Sequence, residues 1–279
     1  MSSIVIGASG IVGGHIVDRL VLAGEKPVAV SRTRRAEQNV DWLQADLATP
    51  DRLAWPPVST LYCTAHVGLL ADALPHLVTP SLTRVVAFTS TSIITKMNSE
   101  LAAERDSVRQ WAEAEQHLID TCTKLGVAWT VLRPTIIYDE GRDANITRLA
   151  RLIEKFGFMP LAGAGSGLRQ PVHAQDLAIG ALAAAASPAA ANKIYAIPGI
   201  DTVSYREMIG RIFDGLHKPR RIISVPPLLW RAAFALAKRF IANANVAMGN
   251  RMSKDMIFDP APAVQDFGWK PRAFRPVFQ

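Results

Sequence analysis

Three glycines at three-residue spacing, Gly7, Gly10 and Gly13, follow directly on the run Ser3-Ile4-Val5-Ile6 and lead into the apolar stretch Ile11 to Ala23. A strand that ends in such a turn and restarts as a helix offers unpaired backbone N–H groups and the positive end of the helix dipole to a pyrophosphate, with no Cβ in the way. Gly7, Ala8, Ser9, Gly10, Ile11 and Val12 would line this cradle, and Gly13 would allow close packing of helix on strand. The alternative is a glycine-rich structural turn. At the end of the second strand-like run, Val30-Ser31-Arg32-Thr33-Arg34-Arg35 supplies three arginines and no acid. An acid there would accept the ribose 2′-hydroxyl of NAD(H), whereas cations suit the 2′-phosphate of NADP(H). Ser31, Arg32 and Arg35 are therefore expected at the cofactor and NADP(H) is favoured over NAD(H), a solvated basic loop being the alternative.

The elements that must hold these groups can be read from periodicity. Strand-like runs recur at Ser3 to Ile6, Pro27 to Ser31, Trp42 to Ala45, Thr60 to Thr64, Arg84 to Thr89 and Val127 to Leu132, most of them separated by helix-like segments. That alternation predicts an α/β fold with a parallel sheet, and runs such as Val85-Val86-Ala87-Phe88 predict strands covered on both faces. The rhythm breaks after Arg133-Pro134, so a first domain over 1–134 and a smaller one over 135–279 are expected, with about 171–197 packing back on the first. Asn145 to Phe156 reads as a helix and Gly163 to Gly167 as a turn. Asp176 reads as the N-cap of an alanine-rich helix over Leu177 to Ala186, with a strand over Lys193 to Ile197 and a helix over Tyr205 to Leu216 following.

Composition sets bounds. The 279 residues are 49% hydrophobic and 20% charged, enough to bury a full core. Cys63 and Cys122 have no metal-ligand spacing, so neither a metal site nor a disulfide framework is expected, and with no signal-like start the protein is read as cytoplasmic. The formal net charge of +7 favours anionic partners, but the basic residues lack the interleaved aromatics of a single-strand binder, which argues against nucleic acid.

Further segments carry a family likeness: Ala45-Asp46-Leu47, Phe88-Thr89-Ser90-Thr91-Ser92, Leu132-Arg133-Pro134-Thr135-Ile136-Ile137-Tyr138, Arg169-Gln170-Pro171-Val172-His173-Ala174-Gln175-Asp176, and Phe267-Gly268-Trp269-Lys270-Pro271-Arg272. With the glycine turn, they make the chain resemble the extended short-chain dehydrogenase/reductase superfamily, which includes nucleotide-sugar epimerases and dehydratases. The resemblance implies a doubly wound Rossmann sheet with a smaller C-terminal substrate domain. It puts Asp46 and Leu47 beside the adenine, Ala65, Thr89 and Ser90 along the cofactor, and Pro134, Thr135 and Ile137 near the nicotinamide. Thr91 falls at the catalytic Ser/Thr position, and Arg169 at the position that holds a substrate diphosphate, a task its guanidinium suits. A helix-capping Thr91 and a solvated Arg169 are the structural alternatives.

The superfamily's proton-transfer pair, a tyrosine with a lysine four residues on, does not occur. The tyrosines are at 62, 138, 195 and 205, followed at that spacing by His66, Arg142, Gly199 and Ile209. Anchoring the pattern on Glu115 puts Ser107 at the tyrosine position and Trp111 at the lysine position. Thr91 and Lys96 are then the remaining catalytic candidates, Lys96 having a solvated surface residue as its alternative. The expected function is an atypical NAD(P)-dependent sugar-nucleotide epimerase or reductase acting on a diphospho-sugar. The alternative is a non-catalytic NADP(H)-binding sensor, scaffold or assembly protein, as atypical members and the related respiratory complex I accessory subunit are.

The tail Arg251 to Asp259 with Phe267-Gly268-Trp269 is similar to bacterial members that epimerise polyprenyl-diphosphate-linked sugars. The segment 228–241 reads as a basic amphipathic helix, suited either to packing in the small domain or to peripheral contact at the inner face of the membrane. A monomer or a homodimer through helices around Gln110 to Lys124 is expected from the resemblance.

Overall fold

A computed structural model describes residues 2–33, 35, 39–50, 55–226, 229–230 and 252–278. The expected amphipathic helix over 228–241 lies outside the described residues except for Leu229, which is exposed, and Trp230, which is buried.

In chain order the elements are β1 (Ser3–Ile6), α1 (Ile11–Leu22), β2 (Val28–Ser31), β3 (Asp41–Gln44), β4 (Thr60–Cys63), α2 (Val67–Leu77), β5 (Arg84–Phe88), α3 (Ser92–Thr95), α4 (Ala102–Lys124) and β6 (Ala128–Pro134). There follow β7 (Ile137–Tyr138), α5 (Ile146–Phe156), β8 (Met159–Ala162), β9 (Leu168–Arg169), β10 (Val172–His173), α6 (Ala174–Ala186) and β11 (Lys193–Ile197). The last are β12 (Val203–Ser204), α7 (Tyr205–Gly215), β13 (Ile222–Val225) and α8 (Ala261–Phe267). No helix among the described residues is long and apolar enough to cross a membrane.

The chain divides into two compact units. The first comprises Met1–Pro134, Ala174–Ile197 and Asp259–Pro271. Its seven strands form one parallel sheet in the order β11-β6-β5-β4-β1-β2-β3, the doubly wound sheet expected from the sequence. All five residues of β5 are buried, as a strand with helices on both faces requires. Helix α1 packs on α6, and α2 packs on α4. On α4 the buried residues Val108, Glu115, Leu118 and Cys122 recur at helical spacing, so one stripe of this long helix meets the core. Gly180 on α6 lies against the Trp269 ring, where a Cβ would come within 2.5 Å of the aromatic edge, tying the Phe267-Gly268-Trp269 segment to this unit.

The second unit comprises Thr135–His173, Pro198–Phe258 and Arg272–Gln279. Helices α5 and α7 pack together over a core that includes Ile146, Ile153, Leu161, Ile209, Phe213 and Phe274. Among the described residues it also holds three two-stranded pairs: β7 with β10 and β8 with β13 are parallel, and β9 with β12 is antiparallel.

One local expectation is corrected. Asp176 is not an N-cap: α6 begins at Ala174 and Asp176 sits, buried, in its first turn, where a carboxylate still complements the helix dipole.

Candidate functional site

The sheet order reverses between β1 and β4, because β1 continues into α1 and β2 on one side and has β4 on the other. In open α/β sheets such a switch point leaves a crevice beyond the strand ends. Here that crevice is bounded by the β1–α1 turn. Gly7 has φ of +81°, and a Cβ on it would lie 2.5 Å from the Thr64 hydroxyl and 3.0 Å from the Ala65 nitrogen. A Cβ on Gly13 would overlap the Gly7 carbonyl oxygen and approach the Thr64 hydroxyl at 2.9 Å. The turn is closed by the Gly10 amide donating to Gly7 O at 2.9 Å, and Thr64 Oγ1 donates to the same carbonyl at 3.1 Å. Gly10 caps α1 without a side chain, and no acid stands in the first helical turn, so no carboxylate of that turn offsets the positive end of the helix dipole. Gly7, Ala8, Ser9, Gly10, Ile11 and Val12 form this turn, with Ala65 directly beside it.

The neighbouring strand ends carry the next group. Ser31 ends β2, its Oγ accepting the Thr33 amide at 3.2 Å, and Arg32 is exposed just beyond. Arg35 lies with its guanidinium 5.5 Å from the centre of the Trp42 ring. Arg34 is outside the described residues. Asp46 and Leu47 follow β3. The Asp46 carboxylate accepts the Ala48 amide at 3.0 Å and holds the turn, while Leu47 is buried.

Beyond β5 and β6 lie the residues expected near the nicotinamide and the chemistry. Thr89 Oγ1 donates to Glu115 at 2.7 Å, and Ser90 Oγ accepts the Ser92 amide at 3.1 Å. Thr91 is buried and donates both its hydroxyl, at 3.0 Å, and its amide, at 3.1 Å, to the Pro134 carbonyl. It precedes α3 but makes no side-chain cap. Lys96 ends α3 with its Nζ 3.9 Å from Glu104, partly exposed. Ser107 is exposed, and Trp111 is half-buried with its ring centre 4.7 Å from that of His66, so neither position on α4 supplies an acid or a base.

Glu115, in the sequence only an anchor for the family pattern, is a buried carboxylate with three hydrogen bonds. It is buried and accepts from Thr89 Oγ1, from Arg133 Nε at 3.0 Å and from Arg133 Nη2. The arrangement ties α4 to the end of β6, which carries Pro134, and to the segment after β5 that leads to Thr91.

In the second unit, Thr135 donates its hydroxyl to the Gln170 carbonyl, and Ile137 pairs with Val172. Arg169 is buried, with Nη1 donating to the Leu168 and Lys254 carbonyls at 2.7 Å each and the guanidinium 5.5 Å from the Tyr205 ring centre. It is an interior anchor for the 252–258 segment rather than a solvated side chain. Sequence reading also passed over Asp139, Glu140 and His173, whose polar atoms lie within 4.8 Å of one another. His173 Nε2 is 3.2 Å from Glu140 Oε2, Arg142 is 3.4 Å from Asp139, and Glu140 Oε1 accepts the Val277 amide at 3.3 Å. Burial alone would push the Glu140 carboxyl up, but the hydrogen bond and charge of His173 and the backbone donors hold it below its ordinary value. The cluster is an ion-paired clasp on the tail.

No protein-family model matches the chain. It is 26% identical over 176 residues to a UDP-glucose 4-epimerase of Vibrio cholerae, covering 63% of this chain and 52% of that protein. It is 27% identical over 124 residues to the mitochondrial NADH dehydrogenase (ubiquinone) 1 alpha subcomplex subunit 9 of Dictyostelium discoideum, covering 42% of this chain and 32% of that subunit. The match thus spans about half of the first relative and a third of the second. Among solved structures, a UDP-glucuronic acid 4-epimerase from Bacillus cereus, in complex with UDP-glucuronic acid and NAD, superposes with a TM-score of 0.72 at 14% identity, covering 98% of this chain and 95% of that one. The fold likeness to that solved epimerase extends over nearly the whole chain.

Proposed function

We propose that this chain, an extended short-chain dehydrogenase/reductase in fold, binds a nicotinamide dinucleotide at the β1–α1 turn, with NADP(H) preferred, and exchanges hydride with a sugar-nucleotide-like substrate as an atypical epimerase or reductase. The observation that carries the reading is the approach of Gly7 and Gly13 to each other and to Thr64, which opens the N-terminus of α1 at the switch point of the sheet. The relationship to the Vibrio cholerae epimerase supports the substrate class. When bound, the cofactor supplies hydride chemistry at its nicotinamide. This chain's part is to seat the pyrophosphate on the α1 amides, to meet a 2′-phosphate with Arg32 and Arg35, and to set the Thr91 backbone against Pro134 where the strand ends converge.

A second reading is favoured by one feature. Trp111 packs on His66 where a lysine would stand in the resembling family, and Ser107 is exposed. With no tyrosine–lysine pair on α4, the protein acts as a non-catalytic NADP(H)-binding module. Titration with NADP(H) and NAD(H), followed by nicotinamide absorbance in the presence of UDP-hexoses and UDP-hexuronic acids, separates the two. Binding with substrate-dependent reduction supports the enzyme. Tight binding without reduction supports the second reading, and no binding of either dinucleotide overturns both.

A further inference from the structure

The chain that leaves β4 is Thr64-Ala65-His66, and it runs along the glycine turn. The Thr64 amide donates to the Ile6 carbonyl at 2.9 Å, and the Ala65 nitrogen is an atom that a Cβ on Gly7 would approach at 3.0 Å. His66 is the next residue on the β4 side of that turn, and it caps the N-terminus of α2. Its Nδ1 accepts the Gly68 amide at 3.2 Å. A ring nitrogen that accepts keeps its lone pair, so the neutral imidazole carries its proton on Nε2.

The ring is held on two sides. Its centre lies 4.7 Å from that of Trp111 on α4, with the planes tilted by 49°. A Cβ on Gly68 would come within 3.1 Å of the His66 Cε1 and within 3.2 Å of Ala114, so glycine at 68 is what leaves room for the imidazole against α4. His66 is nevertheless exposed, and its Nε2 has no partner among the described residues. Helix capping explains Nδ1, a task that asparagine or serine performs at least as well. It explains neither the free Nε2–H nor the packing on Trp111.

The sheet order indicates what passes this nitrogen. β1 has β2 on one side and β4 on the other, and Arg32 stands just beyond β2. On the dinucleotide reading, a pyrophosphate at α1 and a 2′-phosphate at Arg32 put the adenosine half toward β2. The other half then crosses the end of β4 on its way toward Thr91, which follows β5. The first group of that half is the second ribose, whose hydroxyls accept hydrogen bonds.

We propose that the Nε2–H of His66 binds the ribose next to the nicotinamide, the Gly68 amide fixing the tautomer and Trp111 the ring. The inference rests on the dinucleotide reading and serves a catalytic enzyme and a binding module alike. In this tautomer the ring's one lone pair is already engaged by Gly68, so His66 seats the sugar and is not the proton acceptor that hydride exchange requires.

Two amide variants separate the two ring nitrogens. His66→Asn places an oxygen near the Nδ1 position and keeps the cap, but has no donor at Nε2, whereas His66→Gln reaches far enough to restore an N–H there. The full chain is titrated calorimetrically with NADPH and NADH, each beside its adenine end alone, adenosine 2′,5′-bisphosphate and ADP. His66→Asn is expected to weaken the dinucleotide about fivefold, the worth of one neutral hydrogen bond. It leaves the adenine-end compounds and the thermal unfolding midpoint unchanged, and His66→Gln recovers most of the dinucleotide affinity. Heteronuclear NMR of the histidine rings in the free protein is expected to show the Nε2–H tautomer at His66. Equal dinucleotide affinity of His66→Asn and the parent overturns the proposal and leaves the dinucleotide reading standing. So does the Nδ1–H tautomer, or an equal loss for the adenine-end compounds. A parent chain that binds neither dinucleotide overturns both.

Discussion

The Pro134 carbonyl receives two hydrogen bonds from one residue, the amide of Thr91 at 3.1 Å and its hydroxyl at 3.0 Å. The hydroxyl proton that the family resemblance would make catalytic is thus spent on holding the end of β6. Thr91→Val keeps the amide bond and loses the hydroxyl one, so a stability loss of about 1 kcal/mol is expected, with dinucleotide affinity unchanged. Urea unfolding and calorimetric titration measure the two. A Thr91→Val protein with full stability and no hydride exchange would instead assign the hydroxyl to chemistry.

Gly13→Ala places a methyl group into the Gly7 carbonyl. Neither backbone can yield without opening the turn, so the variant loses about 1 to 3 kcal/mol and binds neither NADP(H) nor NAD(H) measurably. Thermal unfolding with and without dinucleotide reads both effects.

Arg32→Gln and Arg35→Gln each remove a cation from the end of β2. A lost charge-assisted hydrogen bond to a 2′-phosphate lowers NADP(H) affinity on the order of tenfold, while NAD(H) affinity does not change. Competitive titration of the two dinucleotides checks it; an equal loss for both would place the arginines elsewhere on the cofactor.

Glu115→Gln leaves Arg133 without its carboxylate in a largely enclosed site. Breaking one side of such a pair costs on the order of 3 kcal/mol. The double variant Glu115→Gln, Arg133→Met recovers part of the loss, because no uncompensated charge remains. Denaturant midpoints for the single and double variants give the comparison.

Burial pushes the thiols of Cys63 and Cys122 up from 9.0 to about 12, the Ala65 carbonyl contact of Cys63 being a lesser influence. A thiol that keeps its proton in the fold while the unfolded chain loses it favours the fold in full below the unfolded value. That contribution disappears as pH rises from about 9 toward the folded value. Stability therefore declines across this alkaline window, less steeply in Cys63→Ala, and thiol reagents label the native protein only as fast as it unfolds.

Much of the first unit was legible because its strands are apolar runs and its turn uses glycine for steric reasons that leave a mark in spacing. The switch point follows once β1 and β4 are recognised. Two-residue strands such as β7, β9 and β10 are too short to show a period, and what places them is pairing between distant segments: Arg169 reaches the Lys254 carbonyl and Gln170 the Phe258 backbone. Glu115 was visible as a letter but not as a partner, because its arginine lies on a strand 18 residues away. Asp176 misled because an acid near a helix start serves equally as a cap or in the first turn.

The first unit is assembled from three separated stretches of chain, and its sheet closes late. During synthesis the outer edge of β6 waits for β11, whose Lys193 to Ile197 pair with Thr130 to Pro134. Throughout the interval in which residues 135–192 leave the ribosome, that edge offers unpaired amides and carbonyls to any passing strand. The nascent protein should therefore need shielding at this stage more than at any other, and a chain released at residue 134 would carry the cofactor turn yet aggregate through β6.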